Sequence, residues 1–222
     1  MHETHSNPTI GPNAIIQLAA TLRNIEGDAI CRGIFQQADL LRYLDGPPSD
    51  MVPEIDIARL HAAMHRKLGD ARARTLGWLA GRLTALYLLE HRIPRPVQWL
   101  MRLLPRRINV LLLSALIARH AWTFAGSGQL RIIRGAPMRI VITGCALVMG
   151  ANSDEPWCDY FAGTLETLFA RLVDSRARVV QTSCAAQGAA CCCFEVRLTR
   201  VSPAQRASGT ALPAPKSVPA TA

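Results

Sequence analysis

The apolar residues of this chain change their spacing near position 126, and few folds accommodate that change in that order. Upstream they recur at helical intervals. Ile15, Ile16, Leu18, Ala19 and Leu22 line one side of a helix that begins after Gly11-Pro12-Asn13. Asp45-Gly46-Pro47-Pro48-Ser49-Asp50 is a loop. Pro53-Glu54 then opens a helix with proline in its first turn, carrying Ile55, Ile57, Leu60, Ala63, Met64 and Leu68. A longer helix over 71–89 includes Trp78. It must stop at His91-Arg92-Ile93-Pro94-Arg95-Pro96, because each proline disfavours helix at the residue before it. Shorter helices follow over 97–104 and 106–122.

Downstream of the Gly126-Ser127-Gly128 turn the pattern becomes short and alternating. Residues 129–134 and 138–143 read as strands joined by Gly135-Ala136-Pro137. Residues 157–173 return to helix, with Phe161, Leu165, Leu168, Phe169 and Leu172 at helical spacing, and 178–183 and 192–198 form a last strand pair around Gly188. An N-terminal helical layer followed by a β-β-α-β-β antiparallel sheet unit is an α+β fold, placed in one domain over 10–199. Residues 1–9 and the Pro/Ala-rich stretch 200–222 are expected to be disordered. Half of the residues are hydrophobic but only 5% aromatic, which suits helices packed on a small sheet better than an aromatic-rich sandwich.

Charge is distributed unevenly. The formal net charge is +9, and no acidic residue lies between Glu90 and Asp154, a stretch with nine arginines from Arg92 to Arg139. Such a segment attracts phosphates, anionic headgroups or carboxylate ligands; a plain solvated basic surface is the competing reading. The apolar run 108–118, between Arg107 and Arg119, spans eleven residues where a membrane crossing needs about twenty. A buried core helix is expected there, in a soluble or peripherally attached protein. Residues 1–8 are polar and lack the apolar run of a signal peptide. Seven cysteines, three of them consecutive at 191–193, make a poor disulfide framework and point to a reducing, cytoplasmic compartment.

Cys158 falls near the start of the last helix, Cys184 at the end of one strand and Cys192 at the start of the next. Three thiolates converging from these elements would form a zinc shell awaiting a fourth ligand. The spacing is not a CxxC pair, and by itself it favours buried cysteines acting as small hydrophobes. His91 and His120 stand beside Arg92 and Arg119 in the acid-free stretch, with Trp122 nearby. His120 shares a helical face with Leu113, Leu116 and Ile117, which equally suits a partly buried structural histidine. No GxGxxG follows a strand, and no phosphate-binding GxxxxGK[ST] or cluster-binding CxxCxxC run occurs, so no cofactor site is evident and the hydride source of any reduction is left open.

Four segments together resemble the bacteriochlorophyll 4-vinyl reductase family. They are Ile10-Gly11-Pro12-Asn13-Ala14-Ile15, His91-Arg92-Ile93-Pro94-Arg95-Pro96, the block from Ala118-Arg119-His120-Ala121-Trp122 through Gly128, and the end from Cys184 through Cys192-Cys193-Phe194-Glu195-Val196. The resemblance covers about residues 10–198. It implies a 4-vinyl reductase domain, similar in fold to the ligand-binding domains of phenol-sensing bacterial activators and to Golgi transport-particle subunits. It also implies zinc held by Cys158, Cys184 and Cys192, with Gln181 where the activators carry a glutamate, and a neutral amide is a poor zinc ligand.

For function, the resemblance implies action at the 8-vinyl group (4-vinyl in older numbering) of divinyl protochlorophyllide or a related intermediate. The chain would be the reductase itself or a pigment-binding assistant to a separate reductase; a ligand sensor or dimeric scaffold of the same fold is the alternative. A magnesium tetrapyrrole takes an axial imidazole, lies in an apolar slot and pairs its propionate with a cation. His91, Arg92, Arg119, His120 and Trp122 supply those groups, and the slot is expected between helices and sheet. No nucleic-acid partner is expected; a homodimer and peripheral contact with the photosynthetic membrane are both compatible with this reading.

Overall fold

Glycines and prolines set the helix boundaries. In the computed structural model, which describes residues 8–199, Thr9–Ile10 (β1) pairs antiparallel with Val52–Pro53 (β2). Helices Asn13–Glu26 (α1) and Asp28–Gln37 (α2) are split by Gly27, and the short Arg42–Asp45 (α3) precedes β2. Pro53 stands at the N-cap of Glu54–Leu68 (α4), and Gly69 separates α4 from Asp70–His91 (α5). Pro94 and Pro105 head Arg95–Leu103 (α6) and Arg106–Arg119 (α7), and Trp122–Ala125 (α8) leads into the sheet. Of the ends expected to be disordered, residues 1–7 and 200–222 lie outside the described residues, whereas Thr9 is in a strand.

The sheet contains Gln129–Ile133 (β3), Met138–Thr143 (β4), Arg178–Ser183 (β5) and Cys192–Arg197 (β6) in the order β3-β4-β6-β5, antiparallel throughout. Helix Asp159–Leu172 (α9) connects its halves. The pairs Met138↔Val196, Ile140↔Phe194 and Ile142↔Cys192 put six buried side chains on one face, because alternate residues share a face. Helix α9 covers that face, with Phe161 edge-on to Phe194 at 6.3 Å. Helix α5 packs on α9, and α1 on α5.

Two glycines bring α5 and α9 together. A Cβ on Gly81 would lie 1.9 Å from the Tyr160 carbonyl oxygen, and one on Gly163 would lie 2.2 Å from that of Trp78. Thr164 Oγ1 donates to the Gly81 carbonyl at 3.0 Å, and the Thr84 and Tyr160 hydroxyls meet at 2.8 Å. Close backbone approach therefore depends on the missing side chains.

The fold is the expected α+β arrangement, with two differences. Helix α2 does not follow from the spacing read above; it buries Cys31, Ile34 and Phe35. Helix α7 is not the buried core helix expected of the run 108–118. It buries Asn109, Leu113, Ser114 and Ile117 but leaves Ile108, Leu111 and Leu112 exposed, because the neighbours it packs on, α9 and β3, cover one side only. No helix among the described residues is long and apolar enough to cross a membrane.

Candidate functional site

The sheet and α9 converge on a cluster of buried thiols. Cys158 caps the N-terminus of α9, Cys184 follows β5 and Cys192 opens β6. Cys158 Sγ lies 3.8 Å from Cys184 Sγ and 3.4 Å from Cys192 Sγ. A fourth sulfur, that of Cys145 just after β4, lies 3.6 Å from Cys158. Cys145, Cys158 and Cys192 form a mutually close set, and Cys184 joins it through Cys158. All four are buried and none forms a disulfide.

Gln181, at the expected fourth position, is otherwise engaged. Its Oε1 accepts from the Cys158 backbone N–H at 3.2 Å and its Nε2 donates to the Ser183 carbonyl at 3.1 Å. Its role is to hold the helix start against β5, and the fourth sulfur comes from Cys145. The sequence offered the signal, another cysteine thirteen positions before Cys158, but a loop between strand and helix gives no periodicity by which to aim it.

Hydrogen bonding from Cys158 holds the Cys145 thiol well below its ordinary range, and the same contact raises that of Cys158. The cluster thus favours a thiolate at Cys145 surrounded by thiols. Backbone N–H groups add to this: that of Trp157 points at Cys184 Sγ (3.5 Å) and that of Ala185 at Cys192 Sγ (3.4 Å). Zinc–sulfur bonds of about 2.3 Å place tetrahedral thiolates about 3.8 Å apart. The contacts made by Cys158, from 3.4 to 3.8 Å, fit such an ion, and Cys145, Cys158, Cys184 and Cys192 are the residues that could hold it.

Beside the thiols, His65 stacks on Trp157 with ring centres 3.9 Å apart and gives its Nδ1 proton to Asp70 at 2.7 Å. Burial lowers the His65 pKa, against the pull of Asp70. Trp157 Nε1 donates to the same Asp70 oxygen at 3.1 Å. One turn earlier His61 is buried against Tyr160, with neither ring nitrogen partnered, and burial takes its pKa down to about 3.

The five residues assigned to pigment lie elsewhere. His91 and Arg92 are exposed at the end of α5; Arg119, His120 and Trp122 lie where α7 meets α8, all three exposed or partly so. The expected slot between helices and sheet is closed, since Phe161, Phe169, Phe194 and Ile140 fill that space. The two exposed histidines share one geometry. His120 Nδ1 lies 2.9 Å from the Leu116 carbonyl oxygen and His91 Nδ1 lies 3.1 Å from that of Tyr87. A carbonyl only accepts, so each ring donates from Nδ1 and turns the Nε2 lone pair of its neutral form outward. A cleft of about 570 Å³ between α5 and the start of α9, lined by Arg74, Trp78 and Asp159 among others, contains none of the five.

A four-stranded antiparallel sheet with a cysteine-lined junction to its helix defines a 4-vinyl reductase domain, and residues 138–198 match the model of that domain. Over 187 residues the chain is 38% identical to the bacteriochlorophyll synthase 23 kDa chain of Cereibacter sphaeroides, covering 84% of this chain and 89% of that one. The protein of the same name from Rhodobacter capsulatus is 35% identical, with 84% and 86% covered. The chain belongs to the bacteriochlorophyll 4-vinyl reductase family. Among solved structures, an Fe(II) unliganded H-NOX protein mutant from K. algicida superposes with a TM-score of 0.58 over 86% of this chain and 97% of that one; at 8% identity this is a likeness of fold alone.

Proposed function

We propose that the chain acts in bacteriochlorophyll synthesis by binding a divinyl magnesium tetrapyrrole and presenting it to a separate reductase of its 8-vinyl group. The observation that carries this reading is the relationship to two bacteriochlorophyll synthase chains over most of their length and of this one. The surface at the α7–α8 junction supports it residue by residue. His120 offers an outward Nε2 lone pair to a magnesium ion, Trp122, 61% exposed, offers a ring face for stacking, and Arg119 offers a cation to a propionate. Presentation is favoured over catalysis because the sequence contains no dinucleotide fingerprint.

Titration with divinyl protochlorophyllide tests the first half. The expected result is a shifted Soret band with a dissociation constant of about a micromolar or tighter, weakened at least about tenfold in His120→Ala and Trp122→Ala. No shift at tens of micromolar pigment, to order of magnitude, overturns the reading. Incubation with NADPH and pigment tests the second half. No monovinyl product is expected from the protein alone, and its appearance on chromatography makes the chain the reductase.

A structural zinc ion on Cys145, Cys158, Cys184 and Cys192 completes the proposal. When bound it supplies cohesion and no redox chemistry. It would join the loop after β4, the start of α9 and the β5–β6 turn.

A further inference from the structure

Hydrophobic side chains outside the core are concentrated on α6 and α7. Trp99, Leu100 and Leu103 are 64, 52 and 62% exposed, and Ile108, Leu111 and Leu112 are 43, 45 and 42% exposed. Helix α6 presents its apolar face outward and its amide inward, with Gln98 Nε2 donating to the Leu89 and Ile93 carbonyls. Trp99 and Leu103 are one turn apart on that outer face, with Leu100 beside them. In α7, Ile108, Leu111 and Leu112 form the i, i+3, i+4 stripe of a helix face, opposite the buried Asn109, Leu113 and Ile117. Asn109 Nδ2 donates to the Met101 and Leu104 carbonyls and so fixes the turn between the two helices. Scattered exposed leucines are ordinary, but two consecutive helices with apolar outer faces constitute a surface.

Cations flank this surface. Arg95, Arg107 and Arg119 are exposed, none has an ion pair among the described residues, and no acidic residue occurs from 91 to 153. A second copy placed face to face would bring two such arginine sets together with no carboxylate to pair them, which disfavours self-association. An anionic bilayer complements both features. Its phosphates match the arginines, the boundary between headgroups and acyl chains matches the aliphatic stripe, and indole rings favour that depth.

We infer that α6 and α7 dock on an anionic phospholipid bilayer, with the apolar stripe entering the headgroup boundary and Arg95, Arg107 and Arg119 meeting lipid phosphates. No helix passes through the membrane, and attachment is reversible. The inference stands apart from pigment binding, since neither the apolar stripe nor the cations beside it need a tetrapyrrole to meet lipid.

Co-sedimentation of the full chain with phosphatidylcholine vesicles, with and without phosphatidylglycerol, tests it. Partitioning is expected only with the anionic lipid at low salt, falling at least about tenfold at high salt as the arginine contribution is screened. Leu103→Glu and Leu111→Glu, both on the surface, should each weaken partitioning at least about tenfold with an unchanged unfolding midpoint. Failure to sediment with anionic vesicles at low salt, or undiminished binding by both variants, overturns the inference. So does a concentration-dependent dimer in solution that the same two variants abolish, because it gives the face to a second copy.

Discussion

Glu54 and Ser127, far apart in sequence, are joined by both carboxylate oxygens: Ser127 donates its backbone N–H to Oε2 and its hydroxyl to Oε1, each at 2.7 Å. The first residue of α4 thereby holds the turn that leads from the helices into the sheet. Gly126 in that turn has φ of 61°, and a Cβ there would lie 2.1 Å from Glu54 Oε2. Glu54 is buried, so its loss leaves two donors without a partner. Glu54→Ala is expected to cost about 2–4 kcal/mol, at about 1.5–3 kcal/mol for each hydrogen bond to a charged group with some overlap. Ser127→Ala should cost about half as much. Urea unfolding of both variants checks the ratio, and equal losses would mean that the hydroxyl bond dominates.

The α5–α9 contact makes a second, contrasting pair. Alanine at Gly81 gains about 1 kcal/mol of helix propensity but drives a methyl into the Tyr160 backbone, and overpacking of that kind costs about 1–3 kcal/mol or more. Gly77, one turn earlier, has its nearest neighbour at 3.6 Å, an ordinary contact. Gly81→Ala should therefore lower the melting temperature, whereas Gly77→Ala should leave it unchanged or raise it. If both variants melt alike, the two helices are not held at that separation.

His61 makes stability depend on pH. Its ring is neutral in the fold, with a pKa of about 3, and takes a proton near pH 6.5 once unfolded. Below pH 6.5 unfolding thus takes up a proton, so stability is level at higher pH and declines as pH falls. The slope is about 1.4 kcal/mol per unit, or about 2 kcal/mol between pH 6.5 and 5. His65, also lowered by burial, acts in the same direction, and Asp70, whose pKa its bond with His65 lowers, adds to the decline only below the carboxylate range. Denaturant titrations at pH 5 and 7.5 should show the difference in native protein and a reduced one in His61→Leu. An identical slope in the variant would shift the titration to other groups.

The thiol cluster gives the fourth prediction. Elemental analysis of protein purified without chelator should find about one zinc per chain, the number a single four-coordinate site holds. Cys158→Ser and Cys145→Ser should lose metal together with stability, while Gln181→Ala should retain the metal, because its amide reaches only backbone groups. Metal-free protein whose melting does not respond to zinc or to chelator would leave the four cysteines as core side chains.

What could be read from the sequence was whatever repeats. Alternation located β4 and β5 to the residue, and the spacing of Phe161, Leu165, Phe169 and Leu172 located α9. The cysteines at 158, 184 and 192 sit at element ends, where a chain reversal brings them together. Single long-range contacts carry no period, so neither Glu54 as the partner of Ser127 nor Cys145 as the fourth sulfur could be read. Helix α7 misled for a different reason. An apolar residue on every side is the pattern of a buried helix, and only the tertiary arrangement reveals that one of those sides has no neighbour.

The contact between α5 and α9 also bears on how the chain comes to be made. Synthesis delivers α1 to α5 first, and at about 5–20 residues per second α9 follows only after several seconds. Until then Gly77, Gly81 and Thr84 line a helix face whose cover does not yet exist. The cysteines that meet at the head of α9 arrive later still, Cys192 last among them. Chains interrupted before residue 192 should therefore accumulate as partly helical intermediates exposed to chaperones and proteases, and the final β-strand is the step that commits the domain to its fold.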